Sequence, residues 1–241
     1  MCKIIEIDTN PFYDIIQKIY ATEYDYNEDL SDFHTILDQP LFLHEKSNIL
    51  QIAELGKNDR KSVFVSDYYQ YVDSDPNFIE LYRDFIVSTI KPLFSDEMLV
   101  YQTTPNLRIS FPGSTAIGRR ESDPNPDIIG IHSDREFNHS KEEINFIVPI
   151  TEMFGTNSLY IEPSINSKVS PYKYWNLSLR KNELFTGNLN ELRHYNRVND
   201  TGKTRFSLDF RVIPFSKYNE HALESVSYNK KLVIGDYFQT I

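Results

Sequence analysis

From Arg205 to Val212 the chain alternates without a break. Arg205, Ser207, Asp209 and Arg211 occupy one set of positions, and Phe206, Leu208, Phe210 and Val212 the other. Successive side chains of a β-strand point to opposite faces, so this stretch is a strand between two unlike environments. An outer strand with one face in water is the common case. A polar barrel interior, with the aromatic face packed on a helical layer, fits equally well. Two arginines on the polar face, shortly after a histidine at position 194, keep that second reading open beside the first.

Strand-like runs dominate from residue 98 onward. They are MLVYQTT (98–104), NLRISFP (106–112), IIGIHSD (128–134), EINFIVPIT (143–151), SLYIEPS (158–164), ELFTGN (183–188), ELRHYNRV (191–198) and TRFSLDFRVIP (204–214). Pro, Asn, Asp and Gly punctuate the gaps. GRRESDPNPD (118–127) is a polar loop just before the run that contains His132. The first hundred residues read mainly helical. Phe12, Ile15, Ile16 and Ile19 recur at helical spacing behind Asn10 as a cap, and Phe78, Tyr82, Phe85, Ile86 and Ile90 do so across 76–94 behind Asp75-Pro76. Both stripes read as core packing. The expected organisation is one domain over 1–241: a helical support region (1–97), a β core (98–215) and a C-terminal extension (216–241).

Bulk properties exclude several function classes. The formal charge is −10 and no Lys/Arg-rich stretch offsets it, so nucleic acid is not an expected partner. Cys2 is the only cysteine, which rules out an intrachain disulfide and cysteine-based zinc sites. The opening MCKIIEIDTNPFYDII lacks the basic and long apolar regions of a secretory signal, and no window is apolar enough to span a membrane. A cytoplasmic protein that acts on a small molecule is the expectation. There is no glycine-rich phosphate loop and no Gly-x-Ser-x-Gly turn.

The chemistry-bearing residues lie in the second half. His132 and Asp134 form His-x-Asp on one strand face, His194 follows, and Arg205 opens Arg-x-Ser with Ser207. Two imidazoles and a carboxylate on one side of an ion, with the remaining positions open, suit a non-haem Fe(II) site. With this spacing, His194 is expected from a strand across the barrel. A guanidinium with a hydroxyl two residues on suits a carboxylate co-substrate. His139, seven residues after His132, offers a rival metal pair, but SDREFNHS reads as a turn. His139 is then pocket-lining or supporting. Arg108, Asn145 and Arg211 are further candidates for a polar substrate pocket. Glu142 and Glu143 read as a solvated turn, and His34, His44 and His221 carry no motif.

The segments LRISFPG, IHSDREFNHSKEEINFIVPIT, GTNSLYIEPS and HYNRVNDTGKTRFSLDFRVIP resemble the Fe(II)/2-oxoglutarate-dependent oxygenases, in the branch of streptomycin-biosynthesis-type and phytanoyl-hydroxylase-like proteins. The resemblance covers roughly residues 100–215. It implies a double-stranded β-helix, a cupin-like jelly-roll barrel flanked by helices. It implies iron at His132, Asp134 and His194, and 2-oxoglutarate at Arg205 and Ser207. It also implies an O2-dependent reaction that decarboxylates 2-oxoglutarate to succinate while a substrate is oxidised. Related halogenases lack the carboxylate ligand; this chain keeps Asp134, so hydroxylation of a small polar metabolite is the expectation. A non-catalytic cupin-like binding protein and a non-redox metal-dependent isomerase or epimerase are the alternatives.

Overall fold

The computed structural model describes residues 2–52, 62–165, 167–220 and 230–241. Among these are two antiparallel sheets with helices on one side and no closed barrel.

The large sheet is built around the alternating strand. The strands are β1 (Lys3–Glu6), β2 (Leu99–Gln102), β3 (Asn106–Ser110), β4 (Ile129–His132), β5 (Ile144–Pro149), β6 (Leu159–Ile161), β7 (Trp175–Leu177), β8 (Glu183–Gly187), β9 (His194–Asn196), β10 (Arg205–Pro214) and β11 (Phe238–Thr240). The large sheet runs β1-β8-β5-β10-β2-β11, and β3 pairs with the first half of β10. The small sheet runs β4-β9-β6-β7. Strands β1 and β11 come from the stretches read as a helical region and an extension, yet both join the sheet of the core. Neither showed an alternation long enough to read as a strand, and β7 was missed for the same reason.

The apolar side of β10 meets the helices. Helix α1 (Asn10–Tyr24) buries Phe12, Ile16, Ile19 and Tyr20. Its N-cap is Thr9, so Asn10 sits in the first turn, where its amide donates to Asp8 Oδ1 at 3.0 Å. Then come a 3₁₀ segment (Leu30–Asp38), α2 (Leu43–Leu50), α3 (Val63–Val72) and α4 (Pro76–Phe85). These faces form one cluster with Phe206, Leu208, Phe210 and Val212. Phe206 lies 5.4 Å from the Phe33 ring and 5.6 Å from that of Tyr20. Each such buried side chain contributes about 1.5–3 kcal/mol. The phenols of Tyr20, Tyr68 and Tyr82 donate to the carbonyls of Phe64, Pro105 and Gln102, so these rings are buried without an orphaned hydroxyl.

Helix α4 does not run regularly to Phe94. It widens into a π-turn over Ile86–Ile90 and ends in a 3₁₀ turn over Lys91–Phe94. Pro92 lacks an amide, and its ring crowds the carbonyl four residues back, so the regular ladder cannot pass it.

The other side of β10 faces the small sheet. Part of that space is apolar, filled by Ile147, Met153, Leu159, Ile161, Leu177, Phe185 and Leu189 among others. The rest is a polar cavity.

Candidate metal centre

His132 ends β4 and His194 opens β9, and the two are cross-strand partners in the small sheet. The second histidine therefore comes from the neighbouring strand, not from across a barrel. The spacing of sixty-two residues concealed this, because the intervening chain makes β5 to β8 before returning. Asp134 is not on the strand face either. It opens a short 3₁₀ turn, Asp134–Phe137. Its amide donates to Leu189 O at 3.1 Å, and Glu136 Oε1 accepts from Ser133 N at 3.0 Å.

Both rings have Nδ1 against a backbone carbonyl: His194 against Leu192 O at 3.0 Å and His132 against Gly130 O. A carbonyl only accepts, so each ring carries a proton on Nδ1, and Nε2 is the nitrogen turned inward. Each Nε2 stands 3.6 Å from Asp134 Oδ1. One ligand atom from each of the three residues lies within 4.8 Å of the other two, the one such group among the described residues. Nitrogen and oxygen ligands sit about 2.0–2.2 Å from a first-row ion, so mutually perpendicular ligands are about 3 Å apart. A small inward shift accommodates a divalent ion on this donor set.

The far oxygen of Asp134 is fully engaged. Oδ2 accepts from Arg211 Nη2 at 2.6 Å, Arg211 Nε at 3.2 Å and Asn145 Nδ2 at 2.7 Å. Asn145 is fixed in turn, its Oδ1 accepting from Leu189 N at 3.1 Å. Burial pushes the Asp134 carboxyl up, but Arg211 and the two imidazoles outweigh it and hold the group well below the usual carboxylate range. Burial and the neighbouring His132 ring push His194 down to about 4. The site is thus an ionised carboxylate beside a neutral imidazole, the form that binds metal.

A cavity of about 90 Å³ opens from this point along the polar side of β10. His132, Asp134, His194, Arg205, Ser207, Arg108, Asn145 and Arg211 all line it. Arg205 is buried, and its Nη1 donates to Asn157 O at 2.7 Å. Ser207 lies on the same face two residues along. Arg108 Nε pairs with Asp209 Oδ2 at 2.8 Å, diagonally across the β3–β10 pair, in which Arg108 lies opposite Ser207. Burial pushes Asp209 up, and Arg108 and Arg211 more than reverse this, leaving it below the ordinary range. The polar positions 205, 207, 209 and 211 therefore face an enclosed space and not solvent.

His139 stands apart. It lies behind Arg211, with Nδ1 2.8 Å from Glu143 Oε2, and that oxygen is 3.5 Å from Arg211 Nε. It lines a second cavity with Arg135, Lys217 and Phe238 and is not among the residues around the first. The His132/His139 pair is not formed. Glu143 is buried at 1% exposure, which corrects its reading as a solvated turn. Its place between an arginine and a histidine needed the fold to reveal it. Arg211 and Asn145 line the cavity, but their polar groups are shared between Asp134 and the neighbouring Gln102, Tyr237 and Leu189. The Tyr237 hydroxyl, 3.1 Å from Arg211 Nη1, carried no sequence signal because it comes from the tail. His221 lies outside the described residues.

The arrangement defines a candidate mononuclear metal centre with a two-histidine, one-carboxylate donor set beside an arginine-lined cavity. No family model matches the chain. It is 28% identical over 200 residues to the streptomycin biosynthesis protein StrG of Streptomyces griseus, a match spanning 78% of this chain and 88% of that protein. Among solved structures it is similar to the non-haem monooxygenase ThoJ in its apo form, at 10% identity and TM-score 0.45 over 88% of this chain and 74% of that one. It is also similar to SnoN, the non-haem alpha-ketoglutarate-dependent epimerase from nogalamycin biosynthesis, at 12% identity and TM-score 0.41 over 67% and 71%.

Proposed function

We propose that the protein is an Fe(II)/2-oxoglutarate-dependent oxygenase on a jelly-roll scaffold, hydroxylating a small polar metabolite. One observation carries the reading: three ligands of the right types and a buried arginine with a serine two residues on line one cavity. His132, Asp134 and His194 would hold the iron. Arg205 and Ser207 would hold the far carboxylate of 2-oxoglutarate, the guanidinium through paired hydrogen bonds. Bound there, the iron would activate O2, with 2-oxoglutarate supplying two electrons as it is decarboxylated to succinate, so that one oxygen atom could enter a substrate C–H bond.

The remaining residues bind, orient and exclude. Gly130 O and Leu192 O set the imidazole tautomers. Arg211 and Asn145 restrict Asp134 to one inward oxygen. Met153, Leu159 and Leu189 keep the wall beside the ligands dry. The cavity is smaller than the roughly 300–1,000 Å³ of drug-sized ligand sites. It suits a small acid next to the metal. The sequence match to a streptomycin biosynthesis protein supports a sugar-like or aminoglycoside-like substrate class. The test is succinate formation from 2-oxoglutarate in air with Fe(II) and ascorbate. Turnover lost in His194→Ala and Arg205→Ala supports the reading; no succinate from the iron-loaded wild type with or without a panel of aminoglycoside and sugar substrates overturns it.

A further inference from the structure

The register between the two histidine strands is irregular. Ile129 pairs with Asn196 and His132 pairs with His194. That is a step of three residues on β4 against two on β9, so β4 carries one extra residue, a β-bulge. Without it Ile131 would stand opposite His194 and His132 would point away from the cavity, because a slip of one residue exchanges the faces of a strand. The side chains agree with this. Ile131 packs outward with Ile128, Tyr174 and Tyr195. The rings of His132 and His194 lie on the cavity side, 4.4 Å apart.

The bulge is formed at Gly130, whose φ of +67° disfavours any residue with a Cβ. A Cβ there would fall 2.4 Å from Ile117 Cδ1 and 3.1 Å from Gly118 O. A bulge disrupts the ladder and leaves amides that need other acceptors. A single side chain supplies them. Asp123 Oδ2 accepts from Gly130 N at 2.7 Å, and Oδ1 accepts from Ile131 N at 2.9 Å. Asp123 Oδ2 also accepts from Arg120 N at 2.8 Å, which closes its own loop. The carbonyl of Gly130 is the group that accepts the His132 Nδ1 proton. Arg120 reaches the same segment, donating to Ile131 O at 3.3 Å and to Glu136 Oε2 at 3.0 Å in the turn that carries Asp134.

We infer that Asp123 is a positioning residue of the metal centre, acting through the Gly130 peptide to decide which face, and which nitrogen, His132 presents to the cavity. The inference rests on His132 being a metal ligand as proposed above. Asp123 touches neither the metal position nor the cavity. Its part is to make the bulge the stable form of β4, and the polar loop 118–127 exists in this conformation around it.

Asp123→Asn keeps the shape but replaces one acceptor oxygen by a donor, so one bulge amide loses its partner. Two readouts are taken on the full chain. Anaerobic calorimetric titration with Co(II) should show affinity weaker by about tenfold, the low end of the usual cost of disturbing a ligand's support. ¹⁵N NMR of the metal-free protein should show His132 protonated on Nδ1 in the wild type and as a tautomer mixture in the variant. Asn199→Ala is the stability control. It removes side-chain bonds to Ser110 O and Lys203 O in a neighbouring loop. It should lower Tm while leaving both readouts unchanged. Asp123→Ser takes the place of the Asn variant if the latter does not fold. An unchanged His132 tautomer, Co(II) affinity within about twofold of wild type, or an equal effect of Asn199→Ala overturns the inference. Failure of the wild type to bind Co(II) instead overturns the metal reading, and the tautomer measurement then decides the positioning role alone.

Discussion

Arg211 grips Asp134 by its outer oxygen, Nη2 to Oδ2 at 2.6 Å, so that only Oδ1 faces His132 and His194. The pair is buried, and its partners extend to Asn145, Tyr237 and Glu143. A buried charge is tolerated only when paired and hydrogen-bonded, and here each partner meets that requirement for the other. The consequence is a carboxylate that cannot rotate to offer both oxygens to the cavity.

Arg211→Lys keeps the charge and loses the fork that holds Oδ2. Co(II) affinity should fall by roughly ten- to hundredfold, measured by anaerobic titration. Arg211→Leu leaves Asp134 buried without its countercharge and should destabilise the metal-free protein by about 3–5 kcal/mol in urea unfolding. A Lys variant that binds Co(II) as tightly as wild type would show that Asn145 alone suffices.

Arg205→Lys should weaken 2-oxoglutarate binding by tenfold or more, on the order of 1.4 kcal/mol, since a point charge does not reproduce a planar fork. Ser207→Ala removes one hydrogen bond worth about 1 kcal/mol and should weaken it about fivefold. Calorimetry under anaerobic conditions with the metal present reads both. Equal affinity in the Lys variant removes Arg205 from the co-substrate site.

On the proposed reading Asp134 fills the ligand position that a halide would need, so the product should gain an oxygen atom even in excess chloride. Mass spectrometry of the product decides between oxygen and chlorine incorporation. Asp134→Ala should lose the hydroxylation, having lost both a ligand and a negative charge.

Stability of the metal-free protein should fall with acid in a defined window. An unfolded histidine takes up a proton near pH 6.5, whereas folded His194 does so only at about 4. Between those values the unfolded state binds the extra proton, so each pH unit of acidification costs about 1.4 kcal/mol. The contribution is fully present above about pH 6.5 and gone below about 4. Asp134, depressed in the folded state, adds a further loss below the usual carboxylate range. Urea midpoints at several pH values test this, and His194→Gln should flatten the upper window. An equal slope in the variant would assign the dependence elsewhere.

Phe33 touches the rings of Tyr20, Tyr26, Phe64 and Phe206 at 4.6–5.4 Å and joins the helices to β10. Phe33→Ala should cost about 3–5 kcal/mol, as for other large-to-small core changes. Thermal unfolding gives the shift directly. A loss under about 1 kcal/mol would mean that the layer repacks around the gap.

The sequence alone determined the strand-rich second half, the helical stripes and the two-sided character of β10. Those follow from periodicity, which is a local property of the chain. It also singled out His132, Asp134, His194, Arg205 and Ser207, because the types and order of these residues are visible without coordinates. Tertiary structure alone decided the rest. That β4 and β9 are neighbours depends on how β5 to β8 are threaded. That Asp134 leaves the strand for a turn, and that Arg211 and Asn145 serve Asp134, depends on contacts between distant segments. His139 and Glu143 changed meaning for the same reason: burial behind Arg211 is a property of packing, not of their immediate neighbours. The bulge at Gly130 is the sharpest case. Read as an unbroken strand, β4 turns His132 away from His194. One inserted residue, held by a carboxylate from the preceding loop, turns it back. A period-two pattern carries no record of such a slip, because the energy that selects it lies in hydrogen bonds made only once the sheet is assembled.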